Sequence, residues 1–330
     1  MAILRARRLL PPAAASCALI LAIALASRSA PARPAAPGAA PAFEDAFWKH
    51  WGDGRAEMSG YDLVFPRYGQ PRRGIAVAIF VTETFSSSLR VKSDPGRHPK
   101  SDEFPVMKLN LVEDFATGIY DYNLMTSAFI ALAPVDARPA GSVTKVSFSS
   151  QEWCGNMYGQ LLFDAASARL TSHSYFDGEA DQSRSLPVPA DALSGDAVLL
   201  WARGFTPPVL APGGRRDVPL VRSLETSRLQ HRPVEILKAT LSRDAAPSRI
   251  TVPAGTFDVE RRTVAIGDGP TWSIAVEAAA PHRVIAWETS EGEKASLLAS
   301  DRIQYWKHND PSGEALLAKL GLTPRAARMP

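Results

Sequence analysis

The sequence predicts a mainly β protein: an antiparallel, curved or barrel-like sheet with short N-terminal, central and C-terminal helices. Three observations carry this. Runs rich in Val, Ile, Thr, Phe and Tyr recur at spacings of roughly 10–15 residues. Clusters of Pro, Gly, Ser and Asp separate them, as turns between strands require. The 27 prolines and 22 glycines leave little room for long helices. With 330 residues, 45% hydrophobic and 22% charged, the chain has the balance of a globular protein and the length for one large domain or two small ones.

The first segment precedes the fold. Arg5, Arg7 and Arg8 form a basic start, residues 13–26 are apolar, and Ala24-Leu25-Ala26 and Ala30-Pro31-Ala32 offer small-residue cleavage sites. Residues 1–32 read as a secretory signal, too short in its apolar part for a comfortable membrane span. Cys17 lies inside the apolar run rather than after it, so it does not read as a lipidated cysteine. Residues 33–42 are a Pro/Ala linker that cannot bury enough apolar surface to fold. The expected location is periplasmic or secreted, with no transmembrane span after signal removal.

Cleavage changes the charge. Four arginines (Arg5, Arg7, Arg8, Arg28) and no acids lie in residues 1–32, so 37 basic side chains become 33 against 34 acidic. The paired arginines Arg72-Arg73, Arg215-Arg216 and Arg261-Arg262 are scattered rather than striped. This excludes nucleic acid as the expected partner. Loss of Cys17 leaves Cys154 alone, so no internal disulfide is expected.

In residues 43–51, Phe43, Phe47, Trp48 and Trp51 fall on one helical face, and Gly52 stops it. An N-terminal β region, residues 43–186, then predicts strands over 55–65, 74–84, 89–93, 106–113, 120–132 and 142–153. Residues 187–214 predict a helix, with Pro189 near its start and Gly204 as its cap, and a connecting loop. A C-terminal β region, residues 215–330, predicts strands over 234–242, 248–252, 256–266, 271–278, 283–289 and 294–306. Asp310-Pro311 opens a last short helix that Gly321 closes. No tandem repeat, coiled-coil heptad, phosphate-binding loop, G-x-S-x-G or H-E-x-x-H pattern occurs, and no cofactor is expected.

Residues 149–181 hold the densest chemistry. Residues 158–163 and 168–176 predict a hairpin in which Phe163 faces Ala168 and Tyr158 faces His173. That register gives one mostly apolar and one polar face. It sets Cys154 opposite Asp177, roughly 13 Å along the strand from His173, too far for a Cys–His pair without a bend at Gly155. Cys154 shares parity with Val146 and Phe148, which predicts a buried thiol. The candidate ligand or site residues are Glu152, Trp153, Cys154, Tyr158, His173 and Tyr175. Asp177, Glu179 and Asp181, at i, i+2 and i+4, have the spacing of a calcium loop but lack its following glycine and distal glutamate; they read as a metal site or an acidic turn. Aromatics recur near strand ends, at Tyr120, Tyr122, Trp153, Tyr158, Tyr175, Phe176, Trp272, Trp287, Tyr305 and Trp306. They read as core and girdle residues or as the lining of a cleft for an apolar or glycan ligand.

Two stretches resemble known families. Phe47-Trp48, Trp51-Gly52-Asp53-Gly54, Val81-Thr82-Glu83, Thr117-Gly118-Ile119-Tyr120, Gln151-Glu152-Trp153-Cys154-Gly155 and Ser172-His173-Ser174-Tyr175-Phe176 resemble a group of exported bacterial β-rich envelope proteins of unknown function. Some of that group carry the label septum formation inhibitor Maf. Maf proteins are cytosolic α/β nucleotide pyrophosphatases, whereas this chain reads as exported and β. Val252-Pro253-Ala254-Gly255-Thr256-Phe257, Trp272, Pro281-His282-Arg283, Trp287 and Tyr305-Trp306 are similar to a periplasmic β-domain family of unknown function. The resemblance implies fold and location and brings no activity. The expected function is non-catalytic: holding an apolar or amphipathic ligand, such as a lipid or glycan, or an envelope protein partner, in a β cleft. The alternatives are a hydrolase using the Glu152, Cys154, His173 and Asp177 neighbourhood, and a structural module with no small ligand.

Overall fold

A computed structural model of the chain describes residue 41 and residues 43–324. The predicted signal, and all of the predicted linker except Pro41, lie outside the described residues. The chain opens with helix α1 (Asp45–Trp51) and continues into β1 (Ala56–Arg67), β2 (Gln70–Ser86), β3 (Glu103–Ala116) and β4 (Asp121–Ala131). Next come β5 (Val143–Glu152), β6 (Gly155–Phe163), β7 (Ser167–Ser174) and β8 (Gln182–Pro187). The middle holds β9 (Leu193–Ser194), a 3-10 turn, α2 (Val198–Ala202), β10 (Arg215–Val221) and α3 (Leu224–Leu229). The last strands are β11 (Ile236–Arg243), β12 (Ser248–Val252), β13 (Gly255–Ile266), β14 (Thr271–Glu277), β15 (Val284–Thr289) and β16 (Lys294–Ile303).

All the strands join one sheet. β1 to β8 form a meander, β16 pairs β1 on its other side, and β15, β14, β13, β11, β10 and β9 follow, with β12 paired to β13. Every pairing is antiparallel except the two-residue match of β9 with β10. Among the described residues the sheet does not close: β8 and β9 are its ends. It nevertheless curls. The turn before α2 touches β4 and α2 touches β14, strands far apart in the sheet order, so the sheet wraps around this segment.

The wrapping follows from burial. Inward positions of β3 read Leu109, Leu111, Glu113 and Phe115, alternating with outward Asn110, Val112 and Asp114. A sheet this wide cannot fill its interior with its own side chains. The segment from Leu193 to Ala202 does so, and every residue of α2 is buried. Leu199, Leu200 and Trp201 each contribute about 1.5–3 kcal/mol by leaving water. The buried Arg203–Glu57 pair ties α2 to β1, with Nη1–Oε1 at 2.6 Å and Nη2–Oε2 at 3.1 Å. Outside the sheet, the 3-10 helix Pro311–Leu320 packs Leu320 beside Ile303 and Leu322. Gly60 lies under it, where a Cβ would stand 2.2 Å from the Leu320 carbonyl oxygen.

Several expectations change. Trp48 is partly exposed rather than on the docking face of α1; only Phe43, Phe47 and Trp51 pack inward. Residues 89–93 are not a strand. Arg90 adopts φ 55°, which interrupts extended backbone, and its N–H closes a turn onto the Ser86 carbonyl. The central helix is shorter than predicted, because Pro189 starts a turn and not a helix. Asp310 and Gly321 cap the last helix as predicted, but its geometry is 3-10. β8, β10 and α3 were not predicted. No helix among the described residues is long and apolar enough to cross a membrane.

Candidate functional site

Successive hairpin turns alternate between the two ends of a meander. The β1–β2, β3–β4 and β5–β6 turns and the β7–β8 connection therefore share one rim. Val64 pairs with Lys294, which places the β15–β16 turn there too. The loop carrying α3, between β10 and β11, covers the same end.

This rim is aromatic. Tyr68, Ile119, Trp153 and Tyr175 stand exposed on four consecutive connections. Beneath them, Tyr122 is buried and stacked on Phe115, with ring centroids 5.1 Å apart. Its hydroxyl lies 2.6 Å from that of Tyr68 and accepts from Arg67 at 3.1 and 3.2 Å. Tyr120 donates to Tyr68 at 3.3 Å, and its ring lies 6.4 Å from Trp153. Burial pushes the Tyr122 phenol up, so it stays protonated.

Glu152 belongs to this network. Its carboxylate accepts from Arg228 Nη2 at 2.6 Å, with both side chains buried, and the Arg228 guanidinium lies over the Phe176 ring. α3 is thereby anchored to the end of β5. Trp153 and Cys154 form the turn to β6, since Glu152 pairs directly with Gly155. Cys154 is therefore exposed, not buried. The parity that predicted burial ends with the strand at Glu152. Tyr175 lies over Gly155, where a Cβ would meet the ring at 2.4 Å.

The β6–β7 register is the predicted one: Phe163 faces Ala168 and Tyr158 faces His173. Tyr158 is outward, with its hydroxyl 3.3 Å from Gln160 Oε1. His173 Nδ1 lies 3.0 Å from Asp181 Oδ1. Glu179 engages His231 and, at 3.4 Å, Ser174. The Asp177, Glu179 and Asp181 spacing thus does not converge: Glu179 and Asp181 turn to different histidines, Asp177 is exposed, and no group of metal-holding residues occurs among the described residues. Nor is the hydrolase set gathered. Glu152 is committed to Arg228, His173 to Asp181, and no hydrogen bond joins Cys154 to a histidine among the described residues.

At the opposite end lies an apolar cleft of about 200 Å³. Pro139, Val143, Ala190, Ala192, Pro207, Pro208 and Val218 form its apolar lining, and Ser142, Asp191 and Thr206 add two hydroxyls and a carboxylate. Two guanidiniums line it. Arg138 donates to the Phe163 carbonyl at 3.0 Å; burial, then the neighbouring Arg90 charge, pull it down to about 10, so it remains cationic at neutral pH. The Arg216 backbone is paired in the β10–β11 ladder, and its side chain makes no ion pair or hydrogen bond among the described residues.

Sequence reasoning missed a set of interior carboxyls. Glu113 on β3, Asp196 before α2, Glu225 on α3 and Glu293 in the β15–β16 turn are all pushed up by burial. Asp196 and Glu293 rise to about 7. Beyond burial, the Glu225 and Glu293 charges raise Glu113 further, and its contact with Glu225 acts in the same direction. The available signal was an acid at a core position, Glu113 in the inward series Leu109, Leu111, Glu113, Phe115.

No known family model matches the chain, and no curated protein matches it. Among solved structures, a β-barrel-like protein from Brucella abortus, of the domain family of unknown function DUF1849, is similar at a TM-score of 0.44 and 9% identity. The match covers 76% of this chain and 98% of that one.

Proposed function

We propose that this is an exported, non-catalytic binding protein of the cell envelope that holds a small amphipathic anion in the cleft between β5 and β10. The observation that carries the reading is the pairing of an apolar pocket with an uncommitted cation, Arg216. Walls of proline, alanine and valine suit an alkyl chain, and two guanidiniums outnumber the one lining carboxylate, Asp191. A guanidinium lacking a carboxylate of its own suits an anionic head. Ser142 is not poised as a nucleophile there: it donates to the Pro139 carbonyl at 2.7 Å. The basic and apolar start of the chain supports export.

The test is a calorimetric titration of the mature chain, residues 33–330, with decanoate. One equivalent should bind. Ala190→Trp, an exposed position at the cleft, should abolish binding by filling it. Arg216→Gln should weaken it about tenfold, the loss of one charge-assisted contact. Absence of binding, or binding untouched by both substitutions, would refute this reading. Sequencing the N-terminus of the exported protein should show a start after Ala26 or Ala32.

A further inference from the structure

We infer that the aromatic rim is a binding surface for a neutral, hydroxyl-rich oligosaccharide. It lies at the opposite end of the sheet from the cleft and does not depend on it. Ile119 is 79%, Tyr175 72%, Trp153 68% and Tyr68 57% exposed. One exposed aromatic means nothing; four large apolar side chains on four consecutive connections of one rim form a patch.

These rings are held rather than loose. Tyr68 and Tyr120 are linked through their hydroxyls, and Tyr68 is fixed to the buried Tyr122. Tyr175 rests on Gly155, the one residue there that leaves room for its ring. Tyr120 and Trp153 are inclined by 33°, closer to side by side than to edge-on, and make a two-ring platform. Preorganised rings lose little side-chain entropy on binding. Hairpin tips on one rim lie two strands apart, about 10 Å, the length of a disaccharide.

The charges choose among ligands. The connection that carries Tyr175 also carries the exposed carboxylates Asp177 and Asp181. The cations among the rings are committed: Arg67 faces inward to Tyr122 and the Leu229 carbonyl, and His173 is held by Asp181, while the exposed Lys294 lies on β16, beyond the Tyr68 end of the patch. Arg73, on β2 beyond the Tyr68 turn, is exposed and balanced by Asp62 at 3.7 Å. Such a rim disfavours an anionic lipid surface or a nucleic acid, which require free cations. A sugar offers what it lacks: C–H faces to stack on indole and phenol rings, and hydroxyls to donate to carboxylates.

The test is a calorimetric titration of the mature chain with triacetylchitotriose, cellotriose and maltotriose, repeated with phosphatidylcholine vesicles. At least one trisaccharide should bind saturably. Trp153→Ala should weaken that binding at least tenfold, and Trp153→Phe should restore most of it. Trp153 is exposed, so its replacement should leave the melting temperature unchanged, which separates lost binding from lost fold. Titration with decanoate should be unaffected by either variant. No response to any trisaccharide, a response unchanged in Trp153→Ala, or a Trp153-dependent response to vesicles alone would each overturn the inference.

Discussion

Arg203 joins several parts of the interior through one side chain. Its guanidinium is buried, doubly hydrogen-bonded to Glu57 and bonded to the Pro281 carbonyl at 2.9 Å. It also lies over the rings of Phe80, Phe205 and Trp51 at 4.3, 5.1 and 5.2 Å. Replacing it alone strands a buried carboxylate. Arg203→Met should therefore lower stability by about 3–5 kcal/mol, while Arg203→Met with Glu57→Leu should recover much of the loss. Urea midpoints of the two variants check this. Cys154 sits at the other extreme. Because the turn exposes it, native protein should react with a small thiol reagent at nearly the rate of unfolded protein, and Cys154→Ser should change stability by less than about 0.5 kcal/mol. Protection until unfolding would contradict the turn geometry. The sequence argument for a buried thiol extended strand alternation two residues past the strand's end, and nothing in Trp153-Cys154 marked that end.

At the scale of elements, legibility followed apolar periodicity. The β6–β7 register was readable because Phe163, Leu161, Ala168 and Leu170 alternate on either side of a short polar turn. β8 was not readable: Gln182–Pro187 contains one buried residue, Leu186, and carries no alternation. β10 carries three charges and Pro219 in seven residues. α3 is too short to show a helical period, although Ser223 caps it by accepting from the Thr226 N–H at 3.0 Å. The rim was partly visible, since Tyr120, Trp153 and Tyr175 stood out as aromatic. Their assembly with Tyr68 and Ile119 needs the alternation of hairpin ends, which no local pattern encodes. The weak strands also predict behaviour. β8 is bonded to β7 on one side only, and across the open seam Arg184 reaches the Val234 carbonyl at 2.9 Å. Hydrogen exchange should find β8 amides opening well before those of β1, β2 and β16, which are paired on both sides. Equal protection across these strands would mean that the seam is closed in solution.

For the whole molecule, the interior acids make stability depend on pH. Glu113, Asp196, Glu225 and Glu293 come from β3, the segment before α2, α3 and the β15–β16 turn, so the cluster draws on both β regions. Its neighbours stabilise the charged forms only in part: the Leu224 N–H and Ser194 hydroxyl face Asp196, and the Trp287 indole N–H faces Glu293. A carboxyl whose folded pKa is raised binds a proton more tightly folded than unfolded. Its contribution is fully present below the unfolded value, about 4, and is lost as pH rises through the folded value. For Asp196 and Glu293 that value is about 7. A rise of that size is worth about 4 kcal/mol per group as an upper figure, reduced by relaxation. Asp53, Glu260 and Asp268 act in the opposite sense. Bonds to Arg302, Arg243 and Arg232 outweigh desolvation and hold them low, so acid removes what they contribute. The two trends bracket a maximum on the acidic side of neutrality. The melting temperature should be highest near pH 4–5 and fall steadily towards pH 7, a slope set by proton release from the interior. Glu113→Gln keeps a donor for Glu225 and removes one titrating group, so it should flatten that slope without abolishing the fold. A flat profile in the parent protein would mean that the four carboxyls are hydrated, and that the sheet encloses them less tightly than its strand order implies.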